Sequence, residues 1–200
     1  MPSQTDLYND ALGQIGASRV TSPSDGSVNA NWCNTFYENL RKARLRTHTW
    51  NFAESRMQLA QDATPPAFEF AFSYTLPPDL VRIKEFNGAE PKTVTSDPMC
   101  FLIPSGYYKI EGRHLLTNDG LAFIVYVRDI TNPDEWDPLF YQVLATELAA
   151  KLAAAISKDS RKSQALIQTA LGLLLPLALA VDGQEGTVVP YRVDDLTWGR

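Results

Sequence analysis

The residues best suited to do chemistry in this chain are three acids close together, Asp134, Glu135 and Asp137. Two carboxylates held across a sugar bond are the machinery of a glycosidase, one as acid and one as base or nucleophile. The same letters also read as a helix start. In "NPDEW", Asn132 suits the cap, Pro133 the first helical position and Glu135 the third, and all three acids complement the positive end of the helix dipole. Capping is the more economical reading. His48 and His114 are the only histidines, and His48 sits beside Trp50 at a helix end, where packing or capping explains it. Cys33 and Cys100 lie far apart with no CxxC and no Cys/His cluster, so they read as small buried hydrophobes and zinc is not expected. "PSGYY" around Ser105 lacks the frame of a nucleophile elbow, and there is no GxGxxG or phosphate loop. The expectation is a protein without an active site, metal or cofactor.

One charged run remains. Arg41, Lys42, Arg44 and Arg46 fall on a helix, with Arg41 near Arg44 and Lys42 near Arg46. They form a solvated face, a contact for an acidic partner, or a contact for a phosphate backbone. The net charge of -5 over 200 residues argues against general nucleic-acid coating and favours a protein partner.

The elements that would position these residues fall into three regions. Residues 1–49 are helical. Leu7, Tyr8, Ala11, Leu12 and Ile15 recur at helix spacing, Ser3 with Asp6 resembles a capping box, and Gly16 supplies the stop. "SRVTSPSDGS" is a loop, and a second helix follows with Val28, Trp32, Phe36, Leu40 and Ala43 on one side. Residues 50–131 read as β. "FEFAFSYTL" alternates, with Phe68, Phe70, Phe72, Tyr74 and Leu76 pointing one way. "LVRIKEFNG" begins a helical turn or another strand, and "YYKIEGRHLLT" and "LAFIVYVRDI" are joined through "NDG" as a hairpin. Pro65, Pro66, Pro91, Pro98 and Pro104 fall between strands.

Residues 132–186 are helical again. Trp136, Phe140, Val143, Leu144, Leu148, Leu152 and Ile156 make one stripe, and alanines on the remaining surface allow close approach of another helix. A last helix runs from about 160, with Pro176 expected to kink it or end its regular part. Residues 187–200 read as an extended tail that cannot bury itself. The fold class expected is therefore mainly α with a β insertion (α+β): an antiparallel bundle of the N- and C-terminal helices, a β-rich insertion and an extended tail.

From Ala170 to Val181 the chain carries no charge, which resembles a membrane segment. The uninterrupted run is roughly 12 residues where a span needs about 20, and Pro176 lies inside it. No membrane span is expected. Leu171, Leu174, Leu175 and Leu177 are instead expected to pack in the chain's own core or against a neighbouring subunit. The start, "MPSQTDLYNDALG", does not read as a secretory signal.

Several stretches in order resemble the tailed-phage head-to-tail adaptors called tail tubular protein A. "DALGQIGASRV" resembles their opening, and "LRKARLRTHTWNFA" a helix running into Trp50-Asn51-Phe52-Ala53. "FSYTLPPDLVRI", "YKIEGRHLLTN" and "VRDITNPDEWDPLFYQVLATELAAKLAAAIS" are similar to the family's strand and turn, next hairpin and long helix. The likeness covers about residues 5 to 186, and order and spacing carry it more than any one motif. The last helix departs from the family in being more apolar and in carrying Pro176.

The resemblance implies a structural virion protein of the tail or neck, assembled in the host cytoplasm. It implies a dodecameric ring joining the portal protein to the tail nozzle or tube, with DNA passing through the lumen without sequence-specific contact. The tail residues Val189, Tyr191, Val193, Leu196 and Trp198 would dock on the portal. Arg41, Lys42, Arg44 and Arg46 would meet a partner or the lumen. An alternative is a tail-associated glycan or peptidoglycan hydrolase using Asp134, Glu135 and Asp137. A further one is a DNA-binding module using Arg41 to Arg46.

Overall fold

A computed structural model describes residues 2–88 and 107–185. It mixes helix and antiparallel sheet, an α+β fold. In chain order the helices are α1 (Gln4–Ile15), α2 (Val28–Thr47), α3 (Pro138–Leu152), α4 (Ser160–Thr169) and α5 (Leu175–Asp182). The strands are β1 (Glu54–Gln58), β2 (Phe72–Thr75), β3 (Leu80–Phe86), β4 (Tyr108–Glu111), β5 (His114–Thr117) and β6 (Phe123–Arg128).

Helix α1 forms as its sequence dictates. Ser3 and Asp6 close a reciprocal capping box, Gly16 ends the helix in the left-handed region at φ 74°, and Leu7, Tyr8, Ala11, Leu12 and Ile15 are buried. Helix α2 turns a different face inward. Its buried positions are Ala30, Cys33, Tyr37, Leu40, Arg41 and Leu45, while Val28 is 70% exposed and Trp32 stacks on Phe36 at the surface. The expected Val28–Ala43 stripe is thus displaced around the helix. Tyr37 decides the rotation. It packs edge-on to Tyr8 and its hydroxyl donates to the Thr131 carbonyl, contacts that a solvent-facing position would forfeit.

Helix α3 is the centre of the larger core. Both α1 and α2 pack against it on one hand and α4 and α5 on the other, and its residues from Val143 to Ala150 are all buried. It starts later than "NPDEW" suggests. Pro133–Glu135 is a single 3-10 turn capped by Asn132, and Asp137 then caps α3 proper, accepting from the Leu139 and Phe140 amides. Two cap-and-proline signals follow one another, and only the second leads into a long apolar stripe. Trp50 and Trp136 wedge edge-on against Phe140.

The strands form two three-stranded antiparallel sheets, ordered β1-β6-β3 and β2-β5-β4. A second core cluster draws Ile83, Phe86, Ile124 and Tyr126 from the first sheet and Tyr74 and Leu115 from the second, so the two sheets share it. Strand β6 is central and serves both cores: Ile124 and Tyr126 join the sheet cluster, Val127 the helical one. The expected long strand at "FEFAFSYTL" shrinks to Phe72–Thr75. Glu69 adopts φ 70°, which breaks the alternation and leaves Phe68 80% exposed. "LVRIKEF" is the strand β3. "NDG" does not close a hairpin: β5 pairs with β2 and β4, β6 with β1 and β3, so Asn118–Gly120 carries the chain from one sheet to the other. The tight hairpin is β4–β5, turning at Gly112 with φ 60°.

Candidate interaction surface

The last helix runs unbroken from Ser160 to Asp182, 23 residues, through a π-helical turn at Ala170–Leu174. Asp159 caps it by accepting from the Lys162 amide, and the Ser163 hydroxyl ties it to the Ala150 carbonyl of α3. Pro176 neither ends it nor leaves a regular α-helix. Proline has no N–H and its ring presses on the carbonyl four residues back, which here belongs to Gly172. The chain widens into a π turn just before it and then resumes.

The inward face follows from spacing. Ala170 and Ala178 are fully buried, and Leu166, Leu174, Leu175 and Leu179 pack partly buried against the helical core. The outward face is apolar too: Leu171 is 37%, Leu173 64% and Leu177 49% exposed. Of the four leucines expected to pack, Leu174 and Leu175 therefore touch the chain's own core, while Leu171 and Leu177 stand in solvent. Of the two coverings expected, the chain's own core or a neighbouring subunit, the core supplies one face, because α3 offers only one side to the helix. Both Pro138–Ser157 and Ser160–Asp182 are long and apolar enough to cross a membrane by length and composition. The first is mostly buried, with 61% of its apolar window inside; the second is only 11% buried.

The helix ends on a polar clip. Asp182 is buried, its carboxylate pairing with His48 Nε2 at 2.9 Å and accepting the Asn51 backbone amide at 2.9 Å. Its carbonyl accepts from Asn51 Nδ2. This accounts for His48, which also meets Trp50 edge-on.

The basic run divides. Arg41 is 4% exposed, grips Asp129 through two parallel N–H···O bonds of 3.0 Å and lies over the Tyr37 ring. Arg44 Nη2 donates to Glu147 Oε1 at 3.0 Å, while its Nε comes within 2.7 Å of Oε2 without hydrogen-bond alignment. These two cations are committed inside the chain, joining α2 to Asp129 just after β6 and to α3, and do not present a face to a partner or lumen. Lys42 and Arg46 are exposed, and Arg46 Nη1 donates to the Val81 carbonyl. The tail residues Val189, Tyr191, Val193, Leu196 and Trp198, and Cys100 and Ser105, lie outside the described residues.

Two of the three candidate hydrolytic acids have other bonds. Asp137 caps α3, and Glu135 Oε2 pairs with Arg128 at 2.7 Å. Sequence reasoning missed a different cluster. Asp62 Oδ2 accepts from the Ser73 hydroxyl at 2.5 Å and faces His114 Nδ1 at 2.8 Å; Oδ1 accepts from the Thr75 hydroxyl at 2.6 Å. The hydroxyls, with His114 after them, hold the Asp62 carboxyl below the usual carboxylate range. The group opens on a cleft of about 620 Å³ that Phe68, Phe70 and Glu111 also line. Its bonding order is Ser–Asp–His, with the carboxylate in the middle, whereas activating a serine needs the imidazole on the hydroxyl. What it does here is fasten Asp62 to β2 and β5. No local signal links residues so far apart in sequence.

The chain matches no protein-family model and no curated protein.

Proposed function

We propose that the chain is a non-enzymatic ring subunit of a tailed-phage head-to-tail adaptor, joining portal to tail nozzle or tube around the path of the ejected DNA. The observation that carries this is the uncovered apolar face of Ser160–Asp182 in a chain whose other helices close around α3. A closed ring is built from head-to-tail contacts, which need two different faces on each subunit. The exposed leucines Leu171, Leu173 and Leu177 offer one, and Val28 with the Trp32–Phe36 stack on α2 offers a second. In this reading α1, α2 and α3–α5 form the ring body as an antiparallel bundle, the two sheets are an insertion towards the tail, and residues 187–200 dock on the portal.

The test is light scattering on the purified chain in detergent-free buffer, alone and mixed with the portal protein of the same genome. A soluble chain that joins the portal in a much larger complex, and loses it on deletion of 187–200, supports the proposal. A soluble chain that ignores the portal overturns it. A chain that stays in solution only with detergent overturns it too, and makes Ser160–Asp182 a membrane segment.

A further inference from the structure

Arg46, Arg82 and Arg113 come from α2, β3 and the β4–β5 turn, and the fold brings them to one cleft of about 480 Å³. Among the described residues no carboxylate lines it and none pairs with these three cations. Arg46 and Arg113 each spend one N–H, on the Val81 and Pro77 carbonyls, out of the five a guanidinium carries. Arg82 follows an irregularity in the β3–β6 register between Leu80 and Arg82, of the kind that re-aims a side chain at a sheet rim. The apolar part of the accessible lining comes from Leu80, Val81, Tyr108 and Ile110, over the buried Leu76 and Ile83. Three cations gathered beside an apolar wall, in a chain of net charge -5, fit a ligand that is anionic and apolar at once. A bare phosphate backbone would satisfy the cations and leave the wall wet.

The chain carries such a segment: Asp194-Asp195-Leu196-Thr197-Trp198. We propose that this segment of the chain's own C-terminal tail seats in the cleft, the carboxylates on the arginines and Leu196 with Trp198 on the apolar wall. Reach favours the tail of the same molecule. Helix α5 ends at Asp182, which is clipped to His48, and His48 is two residues from Arg46, at most about 8 Å of backbone. Residues 186–193 extend that by up to about 26 Å. A tether of this length holds the ligand at millimolar effective concentration. The inference stands apart from the connector reading, because it concerns the free chain alone; portal docking would have to draw the tail out.

Amide hydrogen exchange on the dilute full-length chain, without portal, tests it. Amides from 193 to 198 are expected to exchange on the order of tenfold slower than a free peptide. Arg82→Glu, and separately Asp194→Asn with Asp195→Asn, should each restore free-peptide rates. Pairing Arg82→Glu with Asp194→Arg should recover part of the protection. Arg82 is exposed, so an unchanged circular dichroism spectrum is expected for that variant. Free-peptide rates in the unmodified chain overturn the proposal, as does protection that survives both variants. Protection that fades on dilution assigns the cleft to a neighbouring copy. An unprotected tail with duplex-DNA binding that Arg82→Glu abolishes assigns it to phosphate.

Discussion

Asp182 closes the last helix with one buried carboxylate that answers two elements at once. Asp182→Ala leaves the Asn51 amide and the His48 ring without their acceptor. An unsatisfied buried donor costs about 1–3 kcal/mol, so the urea midpoint should fall by that equivalent while the m-value holds. Asp62 carries a pH prediction. Its pKa is depressed in the folded chain, so the stability it contributes is present above the ordinary carboxylate range and is lost as pH falls through the depressed value. Ser73→Ala removes the leading cause, and carboxyl NMR titration should then show the Asp62 pKa rise, with less stability lost to acid below the ordinary carboxylate range. A midpoint that does not move would mean that Ser73 is not the controlling partner. At this scale the sequence was a partial guide. It showed a basic run on α2 but not that Arg41 turns in to Asp129 while Arg46 joins Arg82 and Arg113, since those partners lie in segments remote in the chain.

Elements defined by their own neighbours were readable, and those defined by distant partners were not. Helix α1 carries its cap, stripe and stop in one stretch, and all three stand where its sequence puts them. Helix α2 has two candidate faces, and the choice rests on what Tyr37 meets across the core. The rotation makes a sharp comparison. Tyr37→Ala should cost about 3–5 kcal/mol as a large-to-small change in a packed core. Trp32→Ala, at a surface stack, should cost below about 1.5 kcal/mol. Equal losses in thermal unfolding would put the helix face back where periodicity alone suggested. The strand pairings failed for the same reason: "NDG" is a strong local turn signal, but β6 finds β1 and β3 instead of its sequence neighbour. For the last helix, composition foresaw the strain at Pro176, and the π turn is the way the backbone absorbs it.

The whole molecule presents an apolar helix face that its own core does not use, and the balance between folding and association can be separated there. Leu173→Glu with Leu177→Glu changes only exposed positions. The double variant should unfold within about 1 kcal/mol of the parent yet sediment as a monomer where the parent associates. Association that persists would locate the subunit contact elsewhere. Strand β6 has a consequence of another kind, set by the order of synthesis. It is the middle strand of its sheet, and about 65 residues separate it from β1, its partner on one side. At typical translation speeds of about 5–20 residues per second, β1 waits roughly 3–13 s on the ribosome with an open edge, and α1 and α2 wait longer still for α3. The nascent chain should therefore lean on chaperones until its last third emerges, and a stall placed between codons 88 and 122 should aggregate more of it than one placed after codon 152.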